Sequence, residues 1–189
     1  MTEKEKMLAG VLYDANDSEL YAERKRAKKL CAEFNKLNGE DDEVQREAAK
    51  KIIDTTAAGD TFCFVPPLWC DYGYNTKIGK NFFANHNTTI LDCAPVTFGD
   101  NVMIGPDCGF YTAGHPLDAK TRNSGLEYAY PITVGNNVWI GGGVRIVPGV
   151  KIGNNVVIGS GSVVTKDIPD GVVAAGNPCR VIRKIEEKA

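Results

Sequence analysis

Residues 134–164 read VGNNVW IGGGVR IVPGVK IGNNVV IGSGSV V when they are divided into groups of six. Each group begins with Val or Ile, and Gly and Asn recur where the chain has to turn. One group is therefore a short strand and a turn, with its first side chain pointing inward. Because such a unit cannot bury its apolar side alone, we expect successive groups to stack into a parallel β-helix.

The same spacing extends back to residue 78 and forward to residue 169, with one insertion at residues 116–131. All twelve first positions are apolar, and ten of the twelve fourth positions are Asn, Asp or Gly, which tolerate a left-handed backbone. Long loops inside a compact repeat are uncommon and are often functional. The twelve first positions are Ile78, Ala84, Ile90, Phe98, Ile104, Phe110, Val134, Ile140, Ile146, Ile152, Ile158 and Val164.

Residues 1–57 lack this repeat and are predicted to be helical. Asn16 or Asp17 can cap a helix that starts at Ser18, and a second helix is expected over about 41–54. The sequence thus predicts a mainly β protein, with an N-terminal helical segment at 1–57 and a β-helix with a C-terminal tail at 58–189. The side chains expected to be buried are Leu20, Ala27, Leu30, Phe34 and Leu37 in the first helix and Val44, Ala48 and Ile52 in the second.

Charge and cysteine usage argue against several classes of protein. The net charge of −2 and the pI near 5.7 disfavour a nucleic-acid partner or an acidic membrane surface. No apolar run is long enough for a membrane span, and the charged N-terminus lacks the apolar core of a secretory signal. The six cysteines include no Cys-x-x-Cys pair, which favours free thiols in a reducing cytoplasm over disulfides or a zinc site.

Only two histidines are present, His86 and His115. His115 stands where the chain leaves the repeat for the insertion, and Glu127 lies near the point of return. A histidine at the mouth of such a loop can act as a general base that a carboxylate orients. The alternative from position alone is a solvated loop histidine.

Several motifs, in this order along the chain, carry a resemblance to a known family. The chain resembles the sugar O-acetyltransferases of the hexapeptide-repeat superfamily, and among them the maltose and galactoside acetyltransferases. A repeat alone is a weak signal of function, but the combination is specific and covers nearly the whole chain. The matching segments are residues 13–20, 71–73, 78–85, 114–116, 138–142 and 176–180.

The resemblance implies a left-handed β-helix, a homotrimer with active sites between subunits, and acetyl-CoA as the donor, with no metal. It implies that His115 deprotonates a sugar hydroxyl, which attacks the thioester directly, and that Asn85 contacts the reacting groups. Asp17 and Asp92 match acidic residues of the sugar pocket. General-base help of this kind is worth roughly 10²–10⁴-fold in rate.

Departures from the family pattern bear on the acceptor. Phe83 replaces a common tyrosine, and Cys93 stands where galactoside-acetylating relatives carry an aspartate. Together with Asp71 and Glu127, these residues favour a glucose or maltose acceptor. A galactoside, an amino acid or an antibiotic remains an alternative acceptor.

The donor site is predicted from glycines and basic residues, within motifs that the resemblance covers. Gly141-Gly142-Gly143 leaves backbone open to a pantetheine arm, with Trp139 just before it and Gly159-Ser160-Gly161 one turn later. Thr165-Lys166 is expected on the same edge, one group further along. Arg180 and Arg183 can bind the nucleotide phosphates, because guanidinium geometry suits bidentate contacts. The alternative is that these glycines only form corners and the basic residues only face solvent.

Two other classes share the architecture. A γ-carbonic-anhydrase-like metalloenzyme needs three histidines per metal site, and the chain has two in total. A non-enzymatic β-helix scaffold is the second, and it predicts neither selective acetyl-CoA binding nor a penalty for losing His115.

Overall fold

The computed structural model describes residues 1–186, in which a parallel β-helix of about six turns follows a set of N-terminal helices. The mainly β fold predicted from the repeat is confirmed. The helices are α1 (Glu3–Leu8), α2 (Ser18–Asn35), α3 (Asp42–Ala49) and, inside the insertion, α4 (Ala119–Asn123).

Three parallel sheets form the faces of the β-helix, and the chain visits them in the order A, B, C. A small antiparallel sheet lies beside them. Face A contains β4 (Thr76–Lys77), β7 (Val96–Phe98), β12 (Ile132–Val134) and β15 (Lys151–Ile152). Face B contains β2 (Phe62–Phe64), β5 (Phe82–Ala84), β8 (Val102–Ile104), β13 (Val138–Ile140), β16 (Val156–Ile158), β18 (Val172–Ala175) and the antiparallel β19 (Arg180–Lys184). Face C contains β3 (Leu68–Cys70), β6 (Thr88–Leu91), β9 (Gly109–Tyr111), β14 (Arg145–Ile146) and β17 (Val163–Val164). The small sheet contains β1 (Tyr13–Asp14), β10 (Ala113–Gly114) and β11 (Leu126–Ala129).

The first positions of the repeat form the core. All twelve are buried, and on face B the residues Ala84, Ile104, Ile140 and Ile158 stack in register through the turns. Burying one such aliphatic side chain stabilises a fold by roughly 1.5–3 kcal/mol. The inward direction predicted for these positions is confirmed.

The turns are held by a ladder of asparagine side chains at the A/B edge. Asn81, Asn101, Asn137 and Asn155 have φ between 53° and 56°, and each of the first three donates from Nδ2 to Oδ1 of the next, at 2.9–3.1 Å. This is the left-handed backbone predicted for the fourth position of the repeat. Asp167 is an exception without a positive φ, and its carboxylate accepts from the Lys151 amide at 2.8 Å.

The second predicted helix is shorter than expected, and its buried side is displaced by one residue. α3 ends at Ala49, Val44 is 46% exposed, and Gln45 is buried instead, donating to the Leu37 carbonyl at 2.9 Å. The prediction for residues 50–54 was wrong because Ile52 and its neighbours join the β-helix core, where the first turn begins. Burial in a tertiary core overrides helical spacing there.

The N-terminal segment contacts the rest of the molecule through the buried side of α2 and through strand β1, which pairs with the insertion. α2 begins at Ser18 with Asp17 as its cap, as predicted, and buries Leu20, Ala27, Cys31 and Phe34. The insertion is an ordered unit of α4 and β11, and β11 pairs with β1 on one side and with β10 on the other.

All six cysteines are free. No helix among residues 1–186 has the length and apolar character that a membrane span requires.

Candidate active site

A cavity of about 330 Å³ lies where α2, the small sheet and the edge between faces C and A meet. Four parts of the chain that are distant in sequence form its wall. Its lining residues are Tyr13, Ala15, Asn16, Arg24, Lys28, Asp71, Leu91, Cys93, Ala113, His115 and Glu127.

His115 and Glu127 meet in this cavity. The β10–β11 pairing brings the return of the insertion back beside Gly114, and the His115 Nε2 to Glu127 Oε1 distance is 4.0 Å. This is too long for a hydrogen bond, but two opposite charges attract at that distance. The side chain of His115 is 58% exposed and that of Glu127 is 23% exposed. The Glu127 carboxylate therefore lies beside an imidazole that is open to the cavity.

Tyr13 fixes the position of Glu127. Tyr13 pairs directly with Glu127 in the small sheet, and its hydroxyl donates to Glu127 Oε2 at 3.1 Å. Burial raises the pKa of Tyr13 far above its usual range, and the neighbouring Cys93 and Glu127 act in the same direction. The phenol therefore stays protonated and serves as a permanent donor.

Asp71 and Cys93 form another part of the wall. Cys93 Sγ donates to Asp71 Oδ2 at 3.5 Å. Burial raises the pKa of the Asp71 carboxyl, which the Cys93 thiol and the nearby Lys28 and Arg24 oppose. Burial and the Asp71 charge also raise the pKa of Cys93, so its thiol is a poor nucleophile.

Arg24 and Lys28 line the cavity, although the sequence did not indicate them. Arg24 donates to the Tyr72 hydroxyl at 2.8 Å and to the Ala15 carbonyl at 2.5 Å, which holds its guanidinium against the wall. The spacing of Leu20, Arg24 and Lys28 by four residues on α2 places them along one side of the helix, and that spacing is the signal that was available.

Two residues predicted for the sugar pocket lie outside the cavity. Asp17 caps α2, with its Oδ1 accepting from the Glu19 amide at 3.0 Å. Asp92 is completely buried, and its carboxylate accepts from the Tyr72 amide at 2.9 Å and the Thr76 hydroxyl at 3.2 Å. Asp92 therefore holds the turn after Asp71, and its side chain cannot reach a ligand in this conformation.

Asn85 and Phe83 belong to a different edge of the molecule. Phe83 points outward from face B, in register with Met103, and Asn85 begins the corner between faces B and C. Neither lines the cavity around His115.

The predicted donor residues divide between two edges. Gly142 and Ser160 lie on the B/C corner, where the Gly161 amide donates to the Gly142 carbonyl at 2.8 Å. Trp139 is 54% exposed on face B beside them. Thr165 and Lys166 follow face C instead, so the expectation of one shared edge was wrong. Three groups of six make one turn of the β-helix, and the next group therefore lies at the next corner.

The corner glycines have a structural role as well. A Cβ on Gly141 would lie 2.6 Å from the Ser160 amide nitrogen, whereas a Cβ on Gly161 would meet nothing within 4 Å. The close stacking of successive turns therefore accounts for glycine at position 141, whereas position 161 borders open space. Arg180 and Arg183 lie on the exposed strand β19, next to face B.

No cluster of three or more metal-binding side chains exists within residues 1–186. The six cysteines are free, as predicted, and five of them are buried.

Two family models match the chain. The maltose acetyltransferase hexapeptide capping motif matches residues 6–57, and the bacterial transferase hexapeptide repeat matches residues 131–166. The first covers the helices that wall the cavity, and the second covers the turns that carry Trp139, Gly142 and Ser160.

Solved structures match over almost the full length. A maltose O-acetyltransferase from Clostridium difficile 630 is 51% identical, with a TM-score of 0.94 and 99% of each chain covered. A galactoside acetyltransferase in complex with coenzyme A is 45% identical, with a TM-score of 0.90, over 98% of this chain and 92% of that one. A hexapeptide-repeat acetyltransferase from Vibrio cholerae, complexed with acetyl-CoA, is 36% identical, with a TM-score of 0.88, over 99% of this chain and 100% of that one. The chain therefore belongs to the hexapeptide-repeat acetyltransferases that include the maltose and galactoside enzymes.

Proposed function

We propose that this enzyme transfers the acetyl group of acetyl-CoA to a hydroxyl of a small sugar of the glucose or maltose type. The observation that carries the proposal is the cavity in which His115 faces Glu127, with polar groups of Asp71, Asn16 and Arg24 around them. Carboxylate, amide and guanidinium groups are suited to binding the hydroxyls of a sugar.

The proposed chemistry needs one base. His115 takes the proton of the sugar hydroxyl as its oxygen attacks the carbonyl carbon of the thioester. The carbon–sulfur bond then breaks, the thiolate of CoA leaves with the electron pair, and the imidazolium returns the proton to it. Glu127 supports the positive charge on the imidazole while it exists, and the Tyr13 hydroxyl holds Glu127 in place.

The complete site is proposed to form between subunits of a homotrimer. His115, Asp71, Thr165 and Lys166 lie at the C/A edge, whereas Asn85, Gly142 and Ser160 lie at the B/C edge. Two edges of one β-helix cannot meet, but an edge of one copy can face the other edge of its neighbour. The outer side of face B supports this arrangement, since it carries an apolar row in which Met103 and Trp139 are exposed. The partly buried Phe83, Val157 and Val173 complete the row.

The acceptor assignment rests on residues of the cavity wall. Cys93, where the galactoside branch carries a carboxylate, gives its only hydrogen bond in the described chain to Asp71 and is a poor acceptor for a sugar hydroxyl. A site without a partner for a hydroxyl discriminates against ligands that bury one there. Glucose and maltose are therefore expected to be better acceptors than galactosides.

The decisive experiment is an acceptor screen with acetyl-CoA that follows release of free thiol. Sugars of the glucose type should give turnover, and His115→Ala should lower it at least about 100-fold while the protein keeps its melting temperature and its size in solution. Asn123→Ala is a matched control, because this exposed side chain belongs to the same insertion and lies outside the cavity. Near-normal turnover of a folded His115→Ala variant would contradict the role of His115.

A further inference from the structure

The cavity around His115 continues along the solvent side of α2. A second cavity of about 290 Å³ lies beside it, and three residues line both of them: Asn16, Arg24 and Lys28. We call the second cavity the outer groove. Its lining is completed by Tyr21 and Lys25. The two spaces are therefore adjacent parts of one depression, with His115 at the inner end.

The outer groove is positively charged. Tyr21, Lys25 and Lys28 follow one another at spacings of four and three on α2, so they lie on one face of the helix. Within residues 1–186 neither lysine forms an ion pair, and none of the five lining residues is acidic. The groove thus offers two free ammonium groups beside the guanidinium of Arg24.

The inner cavity carries groups of both signs, because it adds two carboxyls to the shared Arg24 and Lys28. Its ionisable groups beyond the shared Arg24 and Lys28 include the carboxyls of Asp71 and Glu127. Carboxylates accept hydrogen bonds from neutral hydroxyls but repel a second anion. A ligand that fills both spaces therefore needs hydroxyls at one end and a negative charge at the other.

We propose that the preferred acceptor is a sugar with an anionic substituent, either a carboxylate or a phosphate, which binds in the outer groove between Lys25 and Lys28. The sugar ring then lies in the inner cavity with a hydroxyl toward His115, and Tyr21, which is 60% exposed, offers an aromatic surface at the entrance. The inference rests on the proposed function, because it requires the acceptor to occupy the inner cavity.

The test compares acceptors that differ in charge. The specificity constant kcat/KM is measured at saturating acetyl-CoA for glucose, glucuronic acid and glucose 6-phosphate, with wild type and with the double variant Lys25→Gln/Lys28→Gln. The double variant Lys29→Gln/Lys36→Gln is the matched control, since it removes the same charge from the α2 region outside both cavities. Separate use of a carboxylate and a phosphate shows which anion the groove prefers.

We expect an anionic sugar to exceed glucose by about 3- to 30-fold at low salt, the range that two exposed charge pairs provide. The advantage should vanish in the Lys25→Gln/Lys28→Gln variant, persist in the control, and shrink near 1 M salt, where the screening length falls to about 3 Å. Because Lys28 also lines the inner cavity, the quantity compared among the three proteins is the ratio of kcat/KM for the anionic sugar to kcat/KM for glucose, and the control variant should keep the wild-type kcat/KM for glucose itself.

Two outcomes would overturn the inference and leave the proposed function intact. In the first, glucose is acetylated as well as both anionic sugars. In the second, the advantage of the anionic sugars survives loss of both lysines. A third outcome, in which no sugar is acetylated but another acceptor is, would contradict the proposed function and this inference with it.

Discussion

The support that Glu127 gives to His115 can be measured by the substitution Glu127→Gln, which keeps the size of the side chain and removes its charge. Two unit charges 4 Å apart attract by about 1 kcal/mol in water and by about 4 kcal/mol at an effective dielectric constant of 20. The distance in the enzyme is 4.0 Å, and exposures of 58% and 23% place the pair toward the weaker end of that range. A loss of about 1–2 kcal/mol corresponds to a decrease of about 5- to 30-fold in kcat.

A double-mutant cycle gives the assay its specificity. Release of CoA is followed for wild type, Glu127→Gln, His115→Ala and the double variant, with acetyl-CoA and glucose both saturating. If Glu127 acts through the imidazole, removing its charge should cost almost nothing once His115 is absent. Glu33→Gln on the exposed side of α2 serves as a control for loss of one carboxylate.

The reasoning fails if Glu127→Gln lowers kcat equally in both backgrounds, because the carboxylate would then act independently of His115. It also fails if Glu127→Gln leaves kcat unchanged and raises only the KM for the sugar. In that case Glu127 would be a ligand of the acceptor and would give no support to the base.

Replacing Arg180 and Arg183 together by Ala should raise the KM for acetyl-CoA far more than the KM for the sugar, because both guanidinium groups lie on the exposed strand β19, where they are expected to bind the nucleotide phosphates. An equal increase in the KM of both substrates would contradict this assignment. Asp92→Asn should lower the free energy of unfolding by about 1–3 kcal/mol, because a buried amide nitrogen replaces an oxygen that accepts from the Tyr72 amide or the Thr76 hydroxyl. The melting temperature should fall by about 2–12 °C, and an unchanged melting temperature would contradict the role assigned to this carboxylate. Asp17→Ala should cost about 1 kcal/mol through loss of the α2 cap and should change sugar kinetics little, so a large increase in the sugar KM at an unchanged melting temperature would return Asp17 to the acceptor site.

Local pattern was sufficient for the repeating part of the fold. The twelve apolar positions of the six-residue repeat predicted which side chains are buried, and the asparagines predicted where the backbone turns, since both depend on near neighbours in the chain. The cap at Asp17 was predicted for the same reason. The pattern did not show that α3 stops at Ala49, because the residues after it belong to a core built from later turns.

Local sequence pattern predicted only part of the candidate active site. His115 and Glu127 were predicted as a pair from their positions at the two ends of the insertion, and the resemblance supplied the chemistry. The sequence alone determined that the chain is a repeating β-helix with one insertion. Tertiary structure alone decided that β1 pairs with β11 to bring Tyr13 against Glu127, that Arg24 and Lys28 enter the cavity, and that Asp92 turns inward. The physical reason is that these contacts join segments as far as 114 residues apart, and no local spacing encodes which of them will meet.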